Sequence, residues 1–232
     1  MNPRRQRCRV TVACAMSQSA GPSADILMLL PKPRAGVSDA DRVTFASSQV
    51  VRGRQADPGA ASVNSIQTRL EAESDARVVH ATVESAFGRS AEAELVERLR
   101  CMRGTFGLVA IRNSEVVGHV MFSRVAVDGL KNGLAAVGLA PLSVRRDVQR
   151  LGVGTALMKA GLEEVRRRGI AVVVVLGHRD YYPRFGFEEA TSRGLTCKWA
   201  GDGGAFMVLE LVADALGKMG GRVEYDAAFD VF

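Results

Sequence analysis

The residues from 144 to 156 constrain this chain more than any other stretch. A strand end runs into a basic loop with Arg145, Arg146 and Arg150, then through Gly152 and Gly154 into a strongly patterned helix. The helix is expected over residues 155–168, with Leu157, Met158, Gly161, Leu162 and Val165 on one buried stripe. Glu163/Arg167 and Glu164/Arg168 are spaced as i,i+4 pairs on its wet side, and Gly169 stops it. The β-branched run 170–176 follows, as suits a strand covered on both faces. A strand, loop, helix, strand unit of this kind is an anion site by construction. The first N–H groups of a helix have no internal partner and sit at the positive end of its dipole. Glycines at 152 and 154 remove Cβ atoms that would keep an anion away.

Two common owners of such a loop are excluded by neighbouring residues. A P-loop needs a lysine between the last glycine and the hydroxyl residue, whereas Gly154 runs directly into Thr155. A dinucleotide fingerprint needs a small residue where Leu157 stands and an acid near the end of the next strand, which here ends in Leu176, Gly177 and His178.

Elsewhere the chain divides at about residue 62. Residues 1–62 are rich in Arg, Ser, Ala, Gly and Pro without a sustained period, and are expected to be a disordered extension. Arg4, Arg5, Arg7 and Arg9 with no acid before Asp25 fit an organellar transit peptide superficially; a tail without an address, or an over-long start, fits equally. The net charge of +6 belongs mostly to this extension. Residues 1–65 hold nine basic and four acidic groups, leaving 22 against 21 in the rest, so the compact part offers no basic surface for nucleic acid. Cys8, Cys14, Cys101 and Cys197 form no Cys-x-x-Cys pair, and His80, His119 and His178 lie far apart. Neither a metal site nor a disulfide framework is expected, and reduced thiols fit a cytoplasmic protein. No apolar run approaches the length needed to span a bilayer. Oligomeric state is open, a homodimer included.

The domain is expected over residues 63–232. It begins with a strand at 63–70 and a helix capped by Ser74 or Asp75, whose stripe is Val79, Val83, Ala86 and Phe87 and whose stop is Gly88. A second helix from Ser90 carries Glu92 and Glu94 in its first turn, with Leu95, Leu99 and Met102 on one face and Gly104 as its end. Residues 107–112 and 115–125, joined by Asn113 and Ser114, read as a hairpin. A third apolar run, 134–144, is interrupted by Gly138 and Pro141, a mark of a bulge or a break in pairing. Residues 206–211 give a late strand.

The string Gln149, Arg150, Leu151, Gly152, Val153, Gly154 matches Gln/Arg-x-x-Gly-x-Gly/Ala, and with it the chain resembles the GNAT acetyltransferases. The likeness extends over about 170 residues, and is similar to the bacterial YhbS-type subgroup in two further places. One is Gly-Leu-x-Pro-Leu-x-Val at 138–144. The other is Leu-Gly-x-x-x-Tyr-Tyr-x-Arg-Phe-Gly-Phe at 176–187. Val223, Tyr225 and Phe229 also resemble that group's ending.

The resemblance implies an α+β fold: a central, mostly antiparallel mixed sheet flanked by helices, with a V-shaped opening between the strands at 139–144 and 172–176. It implies acetyl-CoA as cosubstrate and transfer of its acetyl group to a primary amine of a small molecule or peptide. The coenzyme would be held by backbone at Leu142 and Val144 and by the loop Gln149, Arg150, Leu151, Gly152, Val153, Gly154 and Thr155. Tyr182, four residues before Gly186, would be the acid that protonates the departing thiolate, with Tyr181 structural. The same residues would serve a non-catalytic acyl-CoA-binding regulator. His119, His178, Asp180 and Glu84 are the candidates for a general base, and Trp199 with the 201–204 loop for the border of an acceptor pocket. The acceptor itself is not legible, because a fold and a coenzyme motif do not define the second substrate.

Overall fold

A computed structural model describes residues 65–200, 205–217 and 220–231. The extension 1–62, Val63 and Asn64 at the start of the expected first strand, and the 201–204 loop lie outside the described residues.

The elements follow in the order β1 (Gln67–Leu70), α1 (Ala76–Phe87), α2 (Ala91–Arg100), β2 (Phe106–Arg112), β3 (Glu115–Val127), β4 (Ala136–Val144), α3 (Val153–Arg167) and β5 (Val172–Leu176). They close with β6 (Glu188–Glu189), β7 (Leu195–Cys197), β8 (Phe206–Glu210) and β9 (Gly221–Glu224), with short 3-10 turns between. The main sheet runs β1-β2-β3-β4-β5-β8-β6. It is antiparallel except for β4 beside β5, where α3 supplies the crossover. The last two residues of β3 turn away to pair with β9, which also pairs with β7.

The sheet is covered on both faces. Leu157, Met158, Leu162 and Val165 of α3 pack on Leu108, Val120, Phe122, Val137 and Leu139. On the opposite face, Val79 and Val83 of α1 with Leu95, Val96 and Leu99 of α2 pack on Val109, Met121 and Ala140. Neighbouring strand residues thus serve opposite layers, as the two-residue period of a strand requires. The five-residue stripe expected on α3 is buried throughout. Its Gly161 is where the Phe122 ring presses: a Cβ there would lie 2.7 Å from the ring.

The hairpin turn is made by Asn113 (φ 52°) and Ser114 (φ 64°), two left-handed residues as a tight primed turn demands. The expected interruption of β4 is real. Between the pairs Phe122↔Leu139 and Val120↔Leu142, two residues of β4, Ala140 and cis-Pro141, stand opposite Met121 alone. Without that extra residue Leu142 and Val144 would flip to the wrong face; with it they rejoin Leu139 in the layer under α3.

Several local expectations are corrected. Asp75 stands at the N-cap of α1 as expected, but its carboxylate makes no bond to the helix; it accepts from the Ala72 N–H (2.8 Å) and from Arg69 (2.5 and 2.9 Å), tying the end of β1 to the helix start. Ser90, the expected start of the second helix, stands at the N-cap of α2 and donates its hydroxyl to Glu94 (3.0 Å). α2 ends at Arg100, before Gly104. α3 begins two residues earlier than expected, because Gly152 takes the N-cap position. Arg167 pairs with Glu164 (2.6 Å) and not with Glu163, and Arg168 joins the same carboxylate (2.6 Å).

Candidate active site

Two features meet at the C-terminal end of β4. The first is a fork in the sheet. β4 and β5 pair from Ala136↔Val172 to Leu139↔Val175, and the pairing stops there while β4 continues to Val144. The Arg145 N–H donates to the Val117 carbonyl (2.9 Å), which turns the backbone of Ser143 toward β3. By alternation, the backbones of Leu142 and Val144 face the side that β5 no longer lines. Their side chains are buried under α3, so what they offer to the opening is backbone. The Gln149 side-chain amide donates to the Val144 carbonyl (3.0 Å) and ties the loop to the lip of the fork.

The second feature is the start of α3. Arg150 (φ 64°) and Gly152 (φ 87°) are both left-handed and curl the loop into the helix. The first helical bond runs from the Ala156 N–H to the Gly152 carbonyl (2.9 Å), and no side chain caps the N-terminus. The N–H groups of Val153, Gly154 and Thr155 are therefore without helical partners, at the positive end of a 15-residue helix. Leu151 is exposed beside them, whereas Val153 is buried and contributes backbone only.

The basic loop residues separate into different jobs. Arg145 is engaged by Asp147 (2.7 Å) and Glu115 (2.9 Å), which hold its pKa up and, in turn, hold the Asp147 carboxyl below the usual range. Arg146 reaches back to the end of α1, donating to the Ala86 carbonyl (3.4 Å) and lying against Gly88. Arg150 alone of the three has no hydrogen bond or ion pair among the described residues.

The chain has three tyrosines, and all three rings rest on glycines around this junction. A Cβ at Gly154 would meet the Tyr181 hydroxyl at 2.8 Å; one at Gly138 would meet Cε1 of Tyr225 at 2.6 Å; one at Gly177 would collide with the Tyr182 ring. The glycines at 138, 154 and 177 are in this sense footprints of rings. Each phenolic oxygen is buried and without a hydrogen-bond partner of regular geometry. Tyr182 is fully buried, packed edge-on against Tyr181 (5.1 Å) and Phe187 (5.6 Å), and burial pushes its phenol well above the ordinary value. Such a group is protonated at every physiological pH, the state a proton donor needs. Tyr181, read from sequence as structural, brings its hydroxyl to the first turn of α3 beside Thr155, with Arg184 stacked on its ring (4.5 Å). The sequence signal for Tyr181 and Tyr225 was the pair of glycines they cover, which only a structure connects to them.

Of the candidates for a base, His119 is buried, its Nε2 2.9 Å from Glu71 Oε2, while Arg100 donates to Glu71 Oε1 (2.6 and 3.0 Å). Its two basic neighbours hold the Glu71 carboxyl below its usual range despite burial. Glu71 and His119 both crowd against Gly107, where no side chain would fit. This is a tie between the end of β1, β3 and α2, as expected of a core histidine. Asp180 and Glu84 are exposed, and His178 is partly exposed. Among the described residues no three His, Cys, Asp or Glu side chains form a metal-holding group, and no helix is long and apolar enough to cross a membrane.

Comparison with known proteins decides the family. Residues 67–190 match the model of the Acetyltransferase (GNAT) domain. The chain is 41% identical over 167 residues to the uncharacterized N-acetyltransferase YhbS of Escherichia coli, covering 71% of this chain and 98% of that one. It belongs to the GNAT acetyltransferase family.

The GNAT fold is also that of solved relatives. The crystal structure of the Escherichia coli YhbS protein in complex with CoA is 37% identical with a TM-score of 0.66, over 76% of this chain and 96% of that chain. A GNAT family acetyltransferase from Brucella melitensis in complex with acetyl-CoA is 33% identical with a TM-score of 0.59, over 72% and 99%. The GNAT pattern expected from the loop and from the two flanking motifs is therefore a property of the folded chain.

Proposed function

We propose that this GNAT protein transfers the acetyl group of acetyl-CoA to a primary amine of a small molecule or peptide by direct attack. The observation that carries the reading is the fork between β4 and β5, opening beside the uncapped start of α3, with the buried Tyr182 ring resting on Gly177 just past the end of β5. The solved relatives with CoA and acetyl-CoA support the same coenzyme here.

In this reading the pyrophosphate sits on the N–H groups of Val153, Gly154 and Thr155, with Arg150 beside it, Leu151 and Gly152 shaping the loop, and Gln149 holding the loop to β4. The pantetheine arm lies along Leu142 and Val144, taking the place that β5 leaves, and their backbone polarises the thioester carbonyl. The amine nitrogen attacks that carbonyl carbon and the C–S bond breaks. Tyr182 gives its proton to the sulfur and regains one from solvent, to which the amine loses its own.

The test is calorimetric titration with acetyl-CoA, followed by thiol release across a panel of primary amines. Saturable binding with amine-dependent thiol release is the expected result. An absence of coenzyme binding overturns the reading; tight binding without thiol release for any amine replaces it with an acyl-CoA-binding regulator.

A further inference from the structure

Tyr225 has no part in the chemistry above, yet its placement resembles that of Tyr182. Tyr182 approaches the fork from the layer under α3, resting on Gly177 at the end of β5. Tyr225 approaches from the opposite layer, resting on Gly138 of β4, which pairs with Val174 of β5 and with Ser123 of β3. Ser123 is fully buried, and its hydroxyl, like those of Tyr182 and Tyr225, has no hydrogen-bond partner. Unpaired buried hydroxyls are costly, and two phenols that approach the end of the β4/β5 pairing from opposite layers, with Ser123 opposite Gly138, mark a place where a polar ligand completes the set. Burial, and to a smaller extent the charge of Tyr182, disfavour ionisation of Tyr225, and the two phenols are not bonded to each other.

The surroundings of Tyr225 define what else the ligand carries. Its ring meets Trp199 edge-on (5.6 Å) and Phe229 edge-on (5.2 Å), and Phe229 also meets Trp199 (6.3 Å). Met121 and Ala140 lie behind this group, and the rings of Trp199 and Tyr225 remain partly exposed. At its outer edge the Lys198 Nζ lies 5.2 Å over the Trp199 ring and donates to Asp230 (2.7 Å), the exposed residue after Phe229. Glu224 and Asp226, the acids next to Tyr225 in sequence, are exposed.

We propose that Tyr225 is the acceptor-contacting residue of the site, and that the acceptor is a primary amine carried on an apolar or aromatic body. It would enter from the α1/α2 face against the Trp199, Tyr225, Phe229 group. The Tyr225 oxygen accepts one amine N–H and leaves the nitrogen lone pair facing the thioester in the fork. The low-dielectric wall favours the neutral, nucleophilic form of the amine, because burial penalises the ammonium. The glycine at 138 is explained by the same arrangement, since a side chain there would displace the ring.

This inference rests on the fork being the acetyl-CoA site, and the experiment separates the two. With the full chain, acetyl-CoA binding is measured first by calorimetry; its failure counts against the coenzyme reading. Initial rates of thiol release are then measured with 2-phenylethylamine, spermidine and a lysine-containing peptide, for the unaltered protein and for Tyr225→Phe and Phe229→Ala. The expected result is a kcat/KM for 2-phenylethylamine at least about tenfold above that for spermidine or the peptide. Tyr225→Phe, which keeps the ring on Gly138, is expected to raise the amine KM about tenfold with acetyl-CoA affinity and Tm unchanged. Phe229→Ala is expected to shrink the preference for the aromatic amine. A preference for spermidine or the peptide, or a Tyr225→Phe variant whose amine KM is unaltered, overturns the proposal.

Discussion

The two faces of the sheet are built on different principles. The layer under α3 is apolar throughout: Leu157, Met158, Leu162 and Val165 meet strand side chains, and the polar work at its edge is done by backbone at Leu142, Val144 and the helix start. The layer of α1 and α2 instead buries carboxylates, each with a cationic partner nearer the rim: Glu71 with Arg100 and His119, Asp75 with Arg69, Glu92 with Arg89. Apolar packing suffices where the element is a long helix locked between two parallel strands by its own crossover. The shorter α1 and α2 have no such crossover; Arg69–Asp75 ties β1 to the start of α1, Arg100–Glu71 ties the end of α2 to the end of β1, and Arg89–Glu92 closes the first turn of α2 on itself. The comparison teaches that the side proposed here to hold the coenzyme is specified by shape and backbone, and the opposite side by charge placement.

Removing charge from the second face is the severest way to break that comparison. Glu71→Ala strands Arg100 and His119 without their shared anion, and is expected to lower unfolding stability by about 3 kcal/mol in urea titration. An unaltered midpoint would show that the ion pairs are ornamental and the two faces alike. On the coenzyme face, Gly154→Val drives a side chain into Tyr181 and over the N–H groups of α3. Its acetyl-CoA affinity is expected to fall about 100-fold in calorimetry with far-UV dichroism retained.

Tyr182→Phe sharpens the contrast between binding and chemistry. It is expected to lower kcat about 10- to 100-fold at saturating acetyl-CoA while leaving coenzyme affinity within about twofold. Equal loss in both would make Tyr182 a packing ring.

The pH response follows from the charged face. The folded Glu71 carboxyl lies below its unfolded value, so its stabilising contribution is complete above the ordinary carboxylate range and lost as pH falls through the lowered folded pKa. Glu71→Gln is expected to flatten that acid limb of a Tm-versus-pH curve, and an unchanged limb would assign acid sensitivity to other groups. The smallest effect is expected at Arg150→Ala, about a three- to fivefold weaker acetyl-CoA affinity that diminishes further with added salt.

Much of this architecture is legible in the chain before folding. The α3 stripe, the hairpin at Asn113 and Ser114 and the interruption at Pro141 are local patterns, and each has the predicted physical basis. The errors are equally local in origin. Asp75 is a good capping residue whose side chain found a stronger partner in Arg69, and Glu164 lies within reach of two arginines while Glu163 received none. A one-dimensional pattern ranks candidates by spacing; packing chooses among them by distance.

The glycine loop and its helix were determined by the sequence alone, because positive φ, unpaired N–H groups and a 3.6-residue stripe are properties of consecutive residues. Which tyrosine reaches which glycine was decided only in three dimensions. Tyr181, Tyr182 and Tyr225 come to Gly154, Gly177 and Gly138 from separate segments, and a glycine records no more than that something must fit above it. The identity of that something is a matter of which surfaces the sheet brings together.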